Sequence, residues 1–194
     1  MALMDWMNEP EVPLVRGEGV YLRPPRLSDH GAWAALREAS RDYLQPFEPT
    51  WPEGDLTRAA FKRRLGIYER ESELGNALPL FLFCEHSGDL VGAMTLSNIR
   101  RGVSEAGTLG YWIGERFSGQ GYGTRGVRAI TRHGFEALGL HRIEAACVPD
   151  NIRSRRVLEK SGFRLEGTAR AYLKINGVWR DHLLFGLLAD DPVG

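Results

Sequence analysis

The chain has 194 residues, 43% of them hydrophobic, and its 25 lysines and arginines balance 25 aspartates and glutamates. This length suits one domain with a buried core. The sequence predicts a single domain over 1–194, with an N-terminal extension at 1–17 and a core at 18–188. Because a zero net charge removes the general attraction to nucleic acid and anionic lipid, no direct nucleic-acid binding is expected.

Cysteine content and hydropathy restrict the class of protein further. Cys84 and Cys147 are the only cysteines, too few for a disulfide framework and without zinc-site spacing, so both are predicted to be buried in a reducing compartment. The first ten residues lack the apolar run of a secretory signal, and no stretch reaches the ~18 apolar residues of a membrane span. The five histidines have no metal-binding spacing. We expect a cytoplasmic monomer or homodimer with no metal and no membrane partner.

The apolar periodicity predicts alternating strands and helices. In chain order these are a strand at Val20–Arg23, a helix from Ser28 to Ser40, a helix at Thr57–Glu71, a hairpin at Leu80–Cys84 and Leu90–Leu96, a strand at Ala106–Gly114, a helix from Gly121, a strand at Arg142–Val148, a helix at Ile152–Lys160, and a ribbon at Arg164–Leu173 and Trp179–Leu188. Asn176-Gly177 is a two-residue hairpin signal between the last two strands. The order predicts an α/β fold with a mixed sheet.

A glycine-dense turn at 110–124 joins a predicted strand to a predicted helix. Such a turn exposes backbone N–H groups to an anion, and the helix dipole adds to the attraction. Residues 121–126 also satisfy GxGxxG, the pattern of dinucleotide sites. However, Glu115–Gly119 separate the first glycine from the strand, and Glu144 lies inside the next strand rather than at its tip. Backbone binding of a pyrophosphate is the favoured interpretation, and a nucleotide oxidoreductase is a distant alternative.

The same turn resembles the signature Arg/Gln-x-x-Gly-x-Gly/Ala of the Gcn5-related N-acetyltransferases (GNAT), with Ser118 in place of the Arg or Gln. The resemblance implies the GNAT fold, a mixed, mostly antiparallel central sheet with splayed central strands flanked by helices. It also implies acetyl-CoA as cosubstrate. The implied pyrophosphate and pantetheine contacts, largely through the main chain, come from Trp112, Ile113, Gln120, Gly121, Tyr122, Gly123 and Thr124.

A second motif, Asn151-Ile-Arg-Ser154, resembles the Asn-x-x-Ser of the same family. The resemblance implies that Asn151 and Ser154 contact the pantetheine and the sulfur. Many members carry a tyrosine that protonates the thiolate where this chain has Leu158, so Ser154 is the expected proton donor. Arg156, at the same helix start, is expected to meet the 3′-phosphate. Over 20–188 the chain is similar to the branch that contains the ribosomal-protein-alanine N-acetyltransferases, above all the enzyme for small-subunit protein S5.

The expected reaction is direct attack of an amine on the thioester. An N-terminal α-amine, with a pKa of about 7.7–8.0, is neutral far more often at pH 7 than a lysine near ~10.4, so it needs less help from a base. Glu105 is a candidate base, and Glu48 is a candidate for binding the incoming ammonium. The expected partner is a protein N-terminus, as in a ribosomal protein. A small-amine acetyltransferase and a CoA-binding module without turnover remain alternatives.

Overall fold

The computed structural model describes residues 15–191. Its strands are β1 (Val15–Gly17), β2 (Val20–Arg23), β3 (Leu78–Cys84), β4 (Leu90–Arg100), β5 (Ala106–Ile113), β6 (Arg142–Cys147), β7 (Arg164–Ile175) and β8 (Val178–Leu188). Its helices are α1 (His30–Ala39), α2 (Arg41–Leu44), α3 (Arg58–Glu73), α4 (Tyr122–Glu136) and α5 (Ile152–Lys160). The eight strands form one sheet in the order β1-β2-β3-β4-β5-β6-β8-β7.

Both faces of the sheet are covered, and β3 shows why its sequence is apolar throughout. Leu80 and Leu82 pack on one face, in a core that includes Ile130 of α4 and Leu158 of α5. Phe81 and Phe83 point to the opposite face, where they form a second core with residues of α1 and α3. Because side chains alternate between the faces of a strand, a strand covered on both sides is apolar at every position.

The centre of the sheet separates between β5 and β6, the one parallel pair among the described strands. The two strands pair from Ala106↔Arg142 to Leu109↔Ala145. Beyond that point β5 continues to Ile113 paired only with β4, and β6 continues to Cys147 paired only with β8. We call the gap between Gly110–Ile113 and Ala146–Cys147 the strand opening. The predicted fold class, with its splayed central strands, is confirmed.

Two details differ from the sequence predictions. Ser28 does not cap α1, because the chain first makes a 3-10 turn and the helix begins at His30 after Asp29. Asp29 instead bonds Arg23 through both carboxylate oxygens. The predicted extension at 1–17 contains β1, which pairs with β2 and therefore belongs to the sheet. The prediction for the first ten residues lies outside the described part of the chain.

Two further predictions concern cysteines and membranes. Cys84 and Cys147 are both free and buried, as predicted. Across 15–191, the structure contains no helix with the length and apolarity needed to cross a membrane.

Candidate functional site

The strand opening leaves backbone groups of β5 without a strand partner. The Gly114 N–H donates to the Val91 carbonyl at 2.9 Å, across the edge that faces β4. Because successive peptide groups of a strand point to alternate edges, the N–H groups of Tyr111 and Ile113 face the strand opening. They are donors of the kind that can polarise a carbonyl oxygen.

Helix α4 begins at one side of the strand opening with a glycine that its backbone requires. Gly121, the residue before the helix, has a φ of 82°, in the left-handed region where a Cβ is unfavourable. It carries no side chain to cap the helix, so the first N–H groups of α4 are open to an anion. Gly123 is needed for packing instead, because a Cβ there would lie 3.2 Å from Val157 of α5.

Helix α5 begins at the other side, and the Asn-x-x-Ser motif forms its first turn. The Asn151 side chain accepts a hydrogen bond from the Ser154 N–H at 3.0 Å, so Asn151 is the N-cap of the helix. This bond uses the amide oxygen, which leaves the side-chain NH₂ of Asn151 as a donor. The cap also fixes the backbone of Ser154 relative to β5.

The Ser154 hydroxyl lies beside a tyrosine that sequence reasoning missed. The Tyr111 hydroxyl is 2.9 Å from the Ser154 Oγ and 3.1 Å from the Ser154 carbonyl oxygen. Burial raises the pKa of the Tyr111 phenol well above its ordinary value, so it stays protonated at neutral pH. Burial likewise raises the pKa of the neighbouring Cys147 thiol, which favours its predicted core role over a nucleophilic one. No sequence motif marks Tyr111, because its partner lies on another element.

Three elements therefore meet at the strand opening. Besides the contact with Val157, a Cβ on Gly123 would be 3.6 Å from Ile113, so the start of α4 contacts both α5 and the end of β5. The bond from Tyr111 to Ser154 joins β5 to α5. The residues predicted to bind the cofactor, from Ile113 through Gly121–Thr124 to Asn151 and Ser154, are brought together.

The side chain of Trp112 lies on the opposite face, among charged partners. Arg37 lies over the rings of Trp51 and Trp112, at 4.0 Å and 4.9 Å from the ring centroids. It also makes a two-pronged ion pair with Glu48, at 2.8 Å and 2.7 Å. The main-chain N–H and C=O of Trp112 point toward β4, as the Gly114 N–H does, so the contact of Trp112 with the cofactor stays a prediction.

The Glu48 carboxylate, predicted to bind the substrate ammonium, already has hydrogen-bond partners within the protein. Its second oxygen also accepts a bond from the Trp51 indole at 2.7 Å, and its carbonyl accepts from the Asn176 N–H at the tip of the β7–β8 ribbon. The carboxylate is matched to Arg37, so capture of a substrate ammonium by Glu48 would compete with an existing ion pair. The geometry favours a structural role.

Glu105 lies at the closed end of β5, away from the strand opening, and its role as a base stays a prediction. It precedes β5 at the end where β5 and β6 are still paired. At ~3.3 Å per residue, Gly110 lies about 16 Å further along the strand. The Glu105 carboxylate instead faces Arg101 at 3.4 Å, and its carbonyl accepts from the N–H groups of His141 and Arg142.

Ser118 and Gln120 hold the glycine turn in place. The Ser118 hydroxyl bonds the Tyr43 hydroxyl of α2 at 2.8 Å, and the Gln120 amide donates to the Arg116 carbonyl at 2.7 Å. The Arg153 guanidinium lies over the Tyr43 ring, with its central carbon 4.8 Å from the ring centroid. Arg156 is exposed on α5, and its contact with a 3′-phosphate stays a prediction.

A surface groove of about 520 Å³ lies beside α1 and the loop after Trp51. Two of its carboxylates are paired with arginines, Glu38 with Arg41 and Asp55 with Arg64. Within residues 15–191, no group of three or more histidine, cysteine or acidic side chains is arranged to hold a metal ion.

Comparison with known proteins decides the family. Residues 20–164 match the Acetyltransferase (GNAT) domain family. The chain belongs to the GNAT acetyltransferase family. It is therefore an acyltransferase, as predicted. The dinucleotide interpretation is wrong. Glu144 lies inside β6 rather than at its tip, as the sequence indicated, and its carboxylate is bonded to Arg100 and Arg142.

Individual GNAT relatives place the chain in the branch predicted from its sequence. It is 34% identical over 182 residues to the [ribosomal protein uS5]-alanine N-acetyltransferase of Escherichia coli, covering 93% of this chain and 94% of that one. It is 33% identical to the probable N-acetyltransferase YjcK of Bacillus subtilis, covering 92% and 98%. The structure of Mycobacterium smegmatis RimJ in complex with CoA-disulfide superposes with a TM-score of 0.85 and 34% identity, covering 92% and 87%.

Proposed function

We propose that this GNAT enzyme transfers the acetyl group of acetyl-CoA to the N-terminal α-amine of a protein, with a ribosomal protein as the leading candidate. The observation that carries the proposal is the strand opening, which is accessible from both faces of the sheet. On one face it meets the starts of α4 and α5. On the other, no atom of residues 15–191, apart from the glycine and its two neighbours in the chain, lies within 4 Å of the place where a Gly110 Cβ would stand, which leaves room for an acceptor.

Different segments of the chain suit different parts of the cosubstrate. The open N–H groups at Gly121–Thr124 suit the pyrophosphate, and Gln120 holds that turn through Arg116. The unpaired main chain at Tyr111 and Ile113 suits the pantetheine arm, with the Asn151 amide as a further donor. The similar structure of Mycobacterium smegmatis RimJ is a complex with CoA-disulfide, which supports CoA as the ligand of this chain.

The chemistry needs few groups from the protein. The neutral amine attacks the thioester carbon, a C–N bond forms, and the amine loses a proton to water. The N–H groups of the strand opening stabilise the oxyanion. As the C–S bond breaks, the Ser154 hydroxyl gives its proton to the sulfur and regains one from solvent. The absence of a free carboxylate at Glu48 or Glu105 supports an α-amine acceptor, which needs the least help from a base.

The substrate assignment is tested by thiol release from acetyl-CoA and mass spectrometry of the products. We expect a peptide that begins with alanine to be acetylated at its N-terminus. The same peptide with a blocked N-terminus and an internal lysine should not react. Acetylation of small amines alone would refute the protein substrate, and tight acetyl-CoA binding without any turnover would indicate a binding module.

Gly121→Ala is expected to weaken acetyl-CoA binding about tenfold. Holding a Cβ in the left-handed region costs about 1–2 kcal/mol, and relief of that strain would turn the N–H groups of α4 away from the phosphates. Calorimetric titration with acetyl-CoA measures the effect. Gly19→Ala is the matched control, because Gly19 also has a positive φ, at 65°, with open space around it in the β1–β2 turn. An equal loss in both variants would contradict a binding role for Gly121.

A further inference from the structure

The Tyr111 hydroxyl has one proton and two acceptors within reach. One is the Ser154 carbonyl oxygen at 3.1 Å, and the other is the Ser154 Oγ at 2.9 Å. When the phenol donates to the carbonyl, the serine hydroxyl donates back to the phenol oxygen. When the phenol donates to Oγ, the serine proton is released to point elsewhere. The two arrangements share the same heavy-atom positions.

The packing around Tyr111 keeps its hydroxyl beside Ser154, where it can donate a hydrogen bond. Its ring packs against the core between the sheet, α4 and α5, so the hydroxyl cannot swing away to solvent. Ser154 is held from its other side by the N-cap bond to Asn151. The distance between the two hydroxyls is therefore set by β5 and α5 together.

We propose that Tyr111 is a positioning residue, which donates its hydrogen bond to the Ser154 Oγ and so directs the only Ser154 proton toward the leaving sulfur. The proposal rests on the function proposed above and deepens it. As the C–S bond breaks, the Ser154 proton passes to sulfur, and the Tyr111 bond stabilises the charge that develops on the serine oxygen. Tyr111 keeps its own proton throughout, and solvent restores the proton of Ser154.

The test is a double-mutant cycle with Tyr111→Phe and Ser154→Ala. Tyr111→Phe keeps the ring and removes the hydroxyl, and a hydrogen bond to a charged oxygen contributes about 1.5–3 kcal/mol. We expect kcat to fall about tenfold in the wild-type background and less than about twofold in the Ser154→Ala background. The KM for acetyl-CoA should change less than about twofold in both.

Tyr21→Phe is the matched control, because Tyr21 is a partly buried tyrosine stacked on Phe83 on the opposite face of the sheet. It should leave kcat unchanged. An equal loss of kcat from Tyr111→Phe in both backgrounds, a raised KM alone, or no effect would each overturn the assignment.

The cycle is read on amine acetylation and, as a second readout, on release of thiol from acetyl-CoA in the absence of an amine, because the leaving thiolate needs the same proton in both reactions. If the unmodified enzyme releases thiol from acetyl-CoA but acetylates no peptide, the proposed acceptor is refuted. The double-mutant cycle measured on hydrolysis then decides the role of Tyr111.

Discussion

Ser154→Ala is expected to lower kcat for acetyl transfer about 10²-fold. General acids contribute ~10²–10⁴-fold, and the lower end applies because a thiol with a pKa of about 8.5 is already a fair leaving group. Binding of acetyl-CoA should change less than about threefold, because the Asn151 cap uses the Ser154 backbone and survives the substitution. Steady-state kinetics and titration with acetyl-CoA measure the two quantities.

Ser161→Ala, a serine substitution at the opposite end of α5, provides the matched control. Ser161 follows α5, is fully buried, and its hydroxyl has no hydrogen-bond partner among the described residues. Its removal should leave kcat unchanged and stability equal or slightly higher. Ser154→Thr, which keeps a hydroxyl, should recover part of the lost rate. A Ser154→Ala enzyme with normal kcat and a raised KM would show that Ser154 binds the cosubstrate without donating a proton.

Arg37→Met is expected to lower the free energy of unfolding by about 2–3 kcal/mol. Removing one partner of a buried ion pair leaves the other charge uncompensated, at a cost of ~3–5 kcal/mol when both are fully buried. The side chain of Glu48 is 20% exposed and that of Arg37 is 9% exposed, so the expected cost lies below that range. Urea denaturation measures it.

The double variant Arg37→Met with Glu48→Gln should recover at least half of the loss, because it removes the stranded carboxylate. Arg16→Met is the control: its pair with Glu85 has the same 2.7 Å distance but side-chain exposures of 65% and 46%. Such exposed pairs contribute ~0–1 kcal/mol. If both single variants lose equally little, the Arg37 pair is not a stabilising contact, and Glu48 becomes available again as a binding residue for the substrate.

The order of strands and helices was predictable because it follows from local pattern. The continuous apolar run of β3 indicated a strand covered on both faces, and the structure places Phe81 and Phe83 opposite Leu80 and Leu82. Asn176-Gly177 marked the ribbon turn, and both residues have positive φ. The start of α1 was mispredicted, because Asp29 is drawn to Arg23 on β2, a contact that neighbouring residues do not reveal.

The candidate site divides in the same way. The Gly121 turn lies within one short segment, so residue type and spacing were enough to predict it. Asn151 was predicted through the resemblance of its motif to a family motif, and only the structure shows that it caps α5. The roles of charged side chains depend on which elements approach them. Glu105 and Glu48 were equivalent loop carboxylates in the sequence, yet one lies beside Arg101 at the closed end of β5 and the other is paired with Arg37.

The sequence by itself determined the order of the elements and the glycine turn, because these depend on contacts within a few residues, and it determined the family through the resemblance of its motifs. Only the tertiary structure decided where β5 and β6 separate, and that Tyr111 lies against Ser154, 43 residues away. Strand pairing and hydroxyl contacts over such distances are set by packing of the whole sheet against α4 and α5. The pattern of residues along the chain does not show how these distant elements pack together.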